Sequence, residues 1–88
     1  MTRELGVELA PFGINVNAIC PSVVDTPLFI DIRSPLEGKF LQECIDGHPI
    51  GRISSPEDIA GPAVFLASDD ASFICGHILM VDGGWTAK

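Results

Sequence analysis

The residues best suited to holding a small molecule lie in one run, Asn17 to Pro27, which reads NAICPSVVDTP. An apolar stretch ends in Pro21-Ser22, resumes as Val23-Val24 and stops at Asp25-Thr26-Pro27. Such a loop could grip a ligand through its amides and hydroxyls. Taken by itself it reads better as an ordinary turn in which the prolines punctuate the chain and Thr26 caps the next segment. Other chemistry-bearing residues give less. His48 invites a general-base reading at neutral pH. It stands beside Pro49 with no Ser or Asp partner at a telling spacing, so a loop or surface role is expected, as it is for His77. Cys20, Cys44 and Cys75 are odd in number and far apart, with no C-x-x-C, which predicts buried free thiols in place of a disulfide or zinc site. Asp25, Asp69, Asp70 and Asp82 fall in no calcium-loop pattern and are expected as turn caps and solvated positions, so no metal is expected.

These residues must be positioned by a chain of 88 residues, 47% hydrophobic and 19% charged, which is globular in composition and small for a domain. Five basic residues against twelve acidic ones give a net charge of -7, with no basic patch to track phosphates, so nucleic acid is not an expected partner. No apolar run approaches the roughly 20 residues of a membrane helix, and the N-terminus lacks the layout of a secretory signal, so a soluble, cytoplasmic chain without a membrane partner is expected.

Periodicity then predicts the elements. Thr2 to Ala10 has a short amphipathic helix pattern stopped by Pro11 and Gly13, with the look of the tail of a longer helix. Ile14 to Cys20 is β-branched and bounded by Gly13 and Pro21, a strand that puts Asn15 and Asn17 on one face. Pro21 to Arg33 reads as loop. Ser34 to Ile45 opens with Ser34, Pro35 and Glu37 in a capping-box pattern and carries Leu36, Phe40, Leu41, Cys44 and Ile45 on one stripe. Ser55 to Ser68 repeats the device with Ser55, Pro56 and Asp58; it is apolar on most sides and is expected to be largely buried, with a kink or break at Pro62. His77 to Asp82 reads as a strand covered on both faces, ending at Gly83-Gly84 in a turn of unusual φ. Two strands joined by a long helical crossover make a right-handed parallel unit. A sheet of two strands leaves open edges and bare helix faces, so the unit is expected to be incomplete as a domain.

The ordered motifs ELGVELAP, GINVNAICP, the Val24-Asp25-Thr26-Pro27 stretch, PIGR, PEDIA, FLASD, ICG and VDGG resemble the C-terminal third of the short-chain dehydrogenase/reductase family over practically the whole chain. The resemblance implies an α/β fold, the last two strands and crossover helices of a Rossmann-type doubly wound parallel sheet. It divides the chain into residues 1–27 (helix end, strand and cofactor loop), 28–50 (substrate lid) and 51–88 (helix, last strand and interface tail). It implies NAD or NADP as cofactor, with Pro21 shaping the turn, the Val24 backbone meeting the nicotinamide carboxamide, and Thr26 bonding the carboxamide or pyrophosphate side. Ligands in open α/β sheets do sit beyond the carboxyl ends of strands. Leu28, Phe29, Ile32, Phe40 and Leu41 become candidates for the wall of a substrate pocket, and packing of the lid helices explains them equally well. Ser22 departs from the family's usual glycine. If its φ is positive it costs on the order of 1 kcal/mol, and Ser22→Gly is then expected to tighten cofactor binding.

What the resemblance implies for catalysis is mostly missing from these residues. The family's proton relay uses a serine, a tyrosine and a lysine, and this sequence has no tyrosine. The Tyr-x-x-x-Lys pair is expected just upstream of Met1, and no glycine-rich phosphate turn is present, so no catalytic residue is assigned here. Two readings stand. One is a segment of an NAD(P)-dependent oxidoreductase that interconverts an alcohol and a carbonyl and forms a homo-oligomer, a tetramer or dimer. The other is a non-catalytic remnant or association module that packs with a complete subunit.

Overall fold

The computed structural model describes residues 1–26 and 39–88. Helix α1 spans Thr2–Leu9 and runs into a 3-10 turn at Ala10–Phe12, which Gly13 ends in the left-handed region at φ 76°. Proline at the start of that turn and glycine after it stop the helix where the sequence predicts. Strand β1, Ala18–Pro21, pairs in parallel with β2, Ile78–Val81, in the register Ala18 to Ile78 through Pro21 to Val81. Between them lie α2, Lys39–Gly47, and α3, Pro56–Ala67. The parallel unit with a helical crossover is as expected.

The first strand is shorter than the predicted Ile14 to Cys20. Residues ahead of Ala18 are tied down by side chains instead of a regular ladder. Asn15 Nδ2 donates to the Ser72 carbonyl at 3.1 Å, Asn17 Nδ2 donates to the Ile74 carbonyl at 3.0 Å, and the His77 amide donates to Asn17 Oδ1 at 2.9 Å. The two asparagines thus hold the segment 71–77 that leads into β2. His77 is exposed and serves through its backbone.

The capping pattern at Ser55 forms: the Ser55 amide donates to Asp58 Oδ2 at 2.8 Å and the Asp58 amide to the Ser55 carbonyl at 3.0 Å. The break expected at Pro62 does not occur, and α3 stays helical through Ala67. Proline's fixed φ suits a helix, and the bond it removes is the one to the Asp58 carbonyl, close to the helix start. The expected burial of α3 also fails. Besides Asp58 at its start, only a stripe of Ile59, Pro62 and Leu66 is half-buried, against β1 and β2, while Val64 is 69% exposed. Two strands are too narrow to cover a helix that is apolar on most sides. For the same reason β2 is covered on one face only, and Met80 is exposed.

Of the three thiols, only Cys44 is buried; Cys20 is half-buried and Cys75 exposed, all three free. The Cys75 thiol lies at the rim of α1 and donates to the Gly6 carbonyl at 3.1 Å. No described helix is long and apolar enough to cross a membrane.

Candidate functional site

β1 ends at an exposed Pro21 and releases the chain into residues 22–26. That loop is fixed by Ser54, in the segment ahead of α3. Val24 and Ser54 form an isolated parallel bridge. The Ser54 amide and hydroxyl both donate to the Val23 carbonyl, at 3.1 and 2.8 Å, and the Asp25 amide donates to the Ser54 carbonyl at 2.9 Å. In a parallel bridge the bracketed residue's own N–H and C=O point away from its partner. Val24 therefore turns one donor and one acceptor to the side opposite Ser54, with Pro21 and Thr26 flanking them in sequence. A primary carboxamide offers the complementary acceptor and donors, so the residues present fit the amide end of a nicotinamide.

Ser22 is not strained: no described residue other than glycine has positive φ. Its side chain has a partner instead. The Ser22 hydroxyl meets His48 Nε2 at 2.5 Å, and His48 Nδ1 lies 2.6 Å from the Cys44 carbonyl. A carbonyl can only accept, so Nδ1 carries a proton, and in the neutral ring Nε2 accepts from Ser22. His48 is 3% exposed, which corrects the expected surface position. Its ring packs edge-on against Trp85, centroids 4.9 Å apart, and Lys88 Nζ sits 4.2 Å over the same indole. Serine at position 22 thus exchanges a glycine's freedom for a bond to the end of α2, and the basis for expecting Ser22→Gly to relieve strain falls away.

Beside this pair opens a pocket of about 160 Å³ lined by Ser22, His48, Ile50, Val81 and Gly83, with Arg52 and Asp58 on its wall. Arg52 holds Asp58 through both guanidinium nitrogens, Nη1 at 2.5 Å and Nη2 at 3.2 Å. That pairing, followed by the Ser55 amide, keeps the Asp58 carboxyl below the usual aspartate range and raises Arg52. At the far edge the Asp82 carboxylate accepts from the Thr86 hydroxyl at 2.6 Å and the Thr86 and Gly84 amides, which lowers its pKa. Gly83 and Gly84 take φ of 59° and 92°, the unusual turn expected after the last strand. Among the described residues no cluster of His, Cys, Asp and Glu could hold a metal ion.

The Asp58 shift sets a pH dependence. Because the folded-state value is depressed, the stabilisation is present above the ordinary aspartate pKa of about 3.9 and is lost as pH falls through the lowered value. Arg52→Met removes the main cause, so its acid unfolding, followed by circular dichroism, is expected at a higher pH than that of the parent chain; coincident titrations would contradict this role.

Of the expected pocket-wall residues, Phe40 and Leu41 lie half-buried at the start of α2, while Leu28, Phe29 and Ile32 fall outside the described residues, as do Ser34, Pro35 and Glu37 of the expected cap. Two participants escaped the sequence reading, Ser54 and His48. Ser22 and His48 are 26 positions apart and Val24 and Ser54 are 30 apart, so no local spacing could pair them.

A parallel α/β unit with a ligand-competent loop at the carboxyl end of a strand defines the class: part of a Rossmann-like fold. The family model described as Enoyl-(Acyl carrier protein) reductase matches residues 1–86. The NAD-dependent glycerol dehydrogenase of Listeria innocua is 44% identical over 88 residues, all of this chain and 34% of that protein. Among solved structures, a short chain dehydrogenase family protein from Francisella tularensis matches with TM-score 0.88 and 33% identity, over 100% of this chain and 39% of its own. An NAD(P)-dependent gluconate 5-dehydrogenase candidate from Beutenbergia cavernae, solved with NADP at low occupancy, matches with TM-score 0.91 and 45% identity, over 99% of this chain and 34% of its own. The chain belongs to the short-chain dehydrogenase/reductase family. It spans about a third of the length of the curated relatives it matches.

Proposed function

We infer that the chain is the C-terminal third of an NAD(P)-dependent oxidoreductase interconverting an alcohol and a carbonyl, and that its share of the work is to hold the nicotinamide end of the cofactor. The observation that carries this is the Val24 backbone, whose donor and acceptor are left on the side away from Ser54 at the carboxyl end of a parallel strand. That is where open α/β sheets take ligands. Val24 holds the carboxamide, Thr26 adds its hydroxyl, and Pro21 sets the turn. A nicotinamide held there would supply hydride exchange with a substrate carbon. The chain's own residues orient the ring and exclude water from one side. The proton relay falls to residues outside this sequence, which has no tyrosine. The C-terminal placement is supported by the order of motifs from GINVNAICP to VDGG.

In the same reading, Phe40 and Leu41 belong to the wall of a pocket for a small alcohol or ketone, and the other candidates for that wall, Leu28, Phe29 and Ile32, lie outside the described residues. The parent enzyme is cytoplasmic by the same resemblance, and homo-oligomeric, which the exposed Val64, Phe65 and Met80 support. Those same residues favour the second reading, an association module that packs with a complete subunit.

Activity assays of the purified 88-residue chain test the division of labour. No NAD(P)H oxidation is expected with any ketone, and one substrate turned over would overturn it. For the module reading, sedimentation with a complete relative is expected to give a mixed complex that Val64→Lys abolishes; a chain that sediments alone would dismiss it.

A further inference from the structure

We propose that Ser22 is an activated nucleophile, and that with His48 and the Cys44 carbonyl it forms an acyl-accepting site for small neutral esters, separate from hydride transfer. Three observations meet here. The Ser22 hydroxyl lies 2.5 Å from His48 Nε2, within reach of a nucleophile and its base. His48 is oriented by a third group, since Nδ1–H donates to the Cys44 carbonyl at 2.6 Å, and this bond directs the unprotonated Nε2 at the serine. The pair is also supplied with a place for substrate, the pocket of about 160 Å³ that both side chains line.

The structure explains why the base is held still. His48 is buried and packed against Trp85, whose indole carries Lys88 Nζ above it, while Lys88 Nζ also donates to the Gly47 carbonyl at 2.6 Å. The C-terminal residues thus close one side of the imidazole. Ser22 stays half-exposed at the end of β1. The orienting group is a neutral carbonyl in place of a carboxylate, so it fixes the tautomer without the charge that would stabilise an imidazolium. Activity is therefore expected on activated esters, not amides.

The pocket selects the substrate class. At about 160 Å³ it has room for an acetyl or propionyl group with the leaving group outside. Ile50 and Val81 supply apolar wall. Among the described residues the wall carries one guanidinium, Arg52, which Asp58 neutralises, and the Asp82 carboxylate at the edge disfavours an anionic acyl group, so a neutral one fits.

The step balances. The Ser22 oxygen adds to the ester carbonyl carbon while its proton passes to His48 Nε2. The carbon–oxygen bond to the leaving group then breaks, and the departing alkoxide takes the proton from His48. Acyl-Ser22 remains until water, deprotonated by His48, cleaves it to the acid and restores the serine.

The test uses the 88-residue chain with p-nitrophenyl acetate, following nitrophenolate release and locating the acetyl group by mass spectrometry after acid trapping. Acetylation is expected at Ser22, absent in Ser22→Ala, and slowed by at least about a hundredfold in His48→Gln. Trp85 emission reports whether the imidazole environment survives, and Ser22→Ala removes only a hydroxyl, so loss of the adduct there does not depend on tolerating a change at His48. No adduct on the parent chain, an adduct on another residue, or equal rates in parent and His48→Gln would each overturn the proposal.

Discussion

Replacing Gly6 by alanine is expected to loosen the junction between α1 and the segment that leads into β2. A Cβ at Gly6 would stand 2.6 Å from the Cα and 2.7 Å from the nitrogen of Gly76, both backbone atoms. Neither can rotate away. The Gly76 amide is held to the Val16 carbonyl at 2.7 Å, and its φ of 76° already requires glycine. Overpacking of this kind costs roughly 1–3 kcal/mol. Alanine's better helix propensity returns less than about 1 kcal/mol. The Gly76 amide and its neighbours are thus expected to exchange hydrogen several-fold to about a hundredfold faster in Gly6→Ala. Unchanged protection at Gly76 would mean that α1 does not dock there.

Val24→Pro is expected to weaken cofactor binding while sparing the loop that presents it. The bridge to Ser54 uses the Val23 carbonyl and the Asp25 amide, so neither bond involves the Val24 N–H. Proline deletes that one donor and favours the extended conformation at Val23 that a bridge needs. A buried carboxamide left without its donor costs about 1–3 kcal/mol, or roughly five- to a hundredfold in affinity. Measured by calorimetry on a complete enzyme carrying this loop, an unaltered affinity would remove Val24 from the site.

The elements whose signals are local were legible in the sequence. Pro11 and Gly13 stop α1, Ser55 and Asp58 start α3, and Gly83-Gly84 turns after β2, because each depends on residues a few positions apart. The misreadings arise where distant parts meet. Ile14 to Val16 has strand chemistry, yet Asn15 and Asn17 commit their side chains to carbonyls more than 50 positions away. His48 looks exposed in sequence and is buried by Trp85 from the chain's other end. α3 is less buried than its composition predicts because hydrophobicity reports a need for cover, not whether the same residues provide it. At the site, the resemblance pointed to Val24 by analogy, but the bridge from Ser54, which leaves its donor and acceptor available, needed the tertiary structure.

The most direct test of the account is the NAD⁺ affinity of a chimera in which this chain replaces the last third of the Listeria glycerol dehydrogenase. A folded protein that binds NAD⁺ within about tenfold of the parent enzyme is expected, a difference of no more than about 1.4 kcal/mol. A folded chimera that does not bind NAD⁺, or binding only when the chain stands in place of the first third, would contradict it.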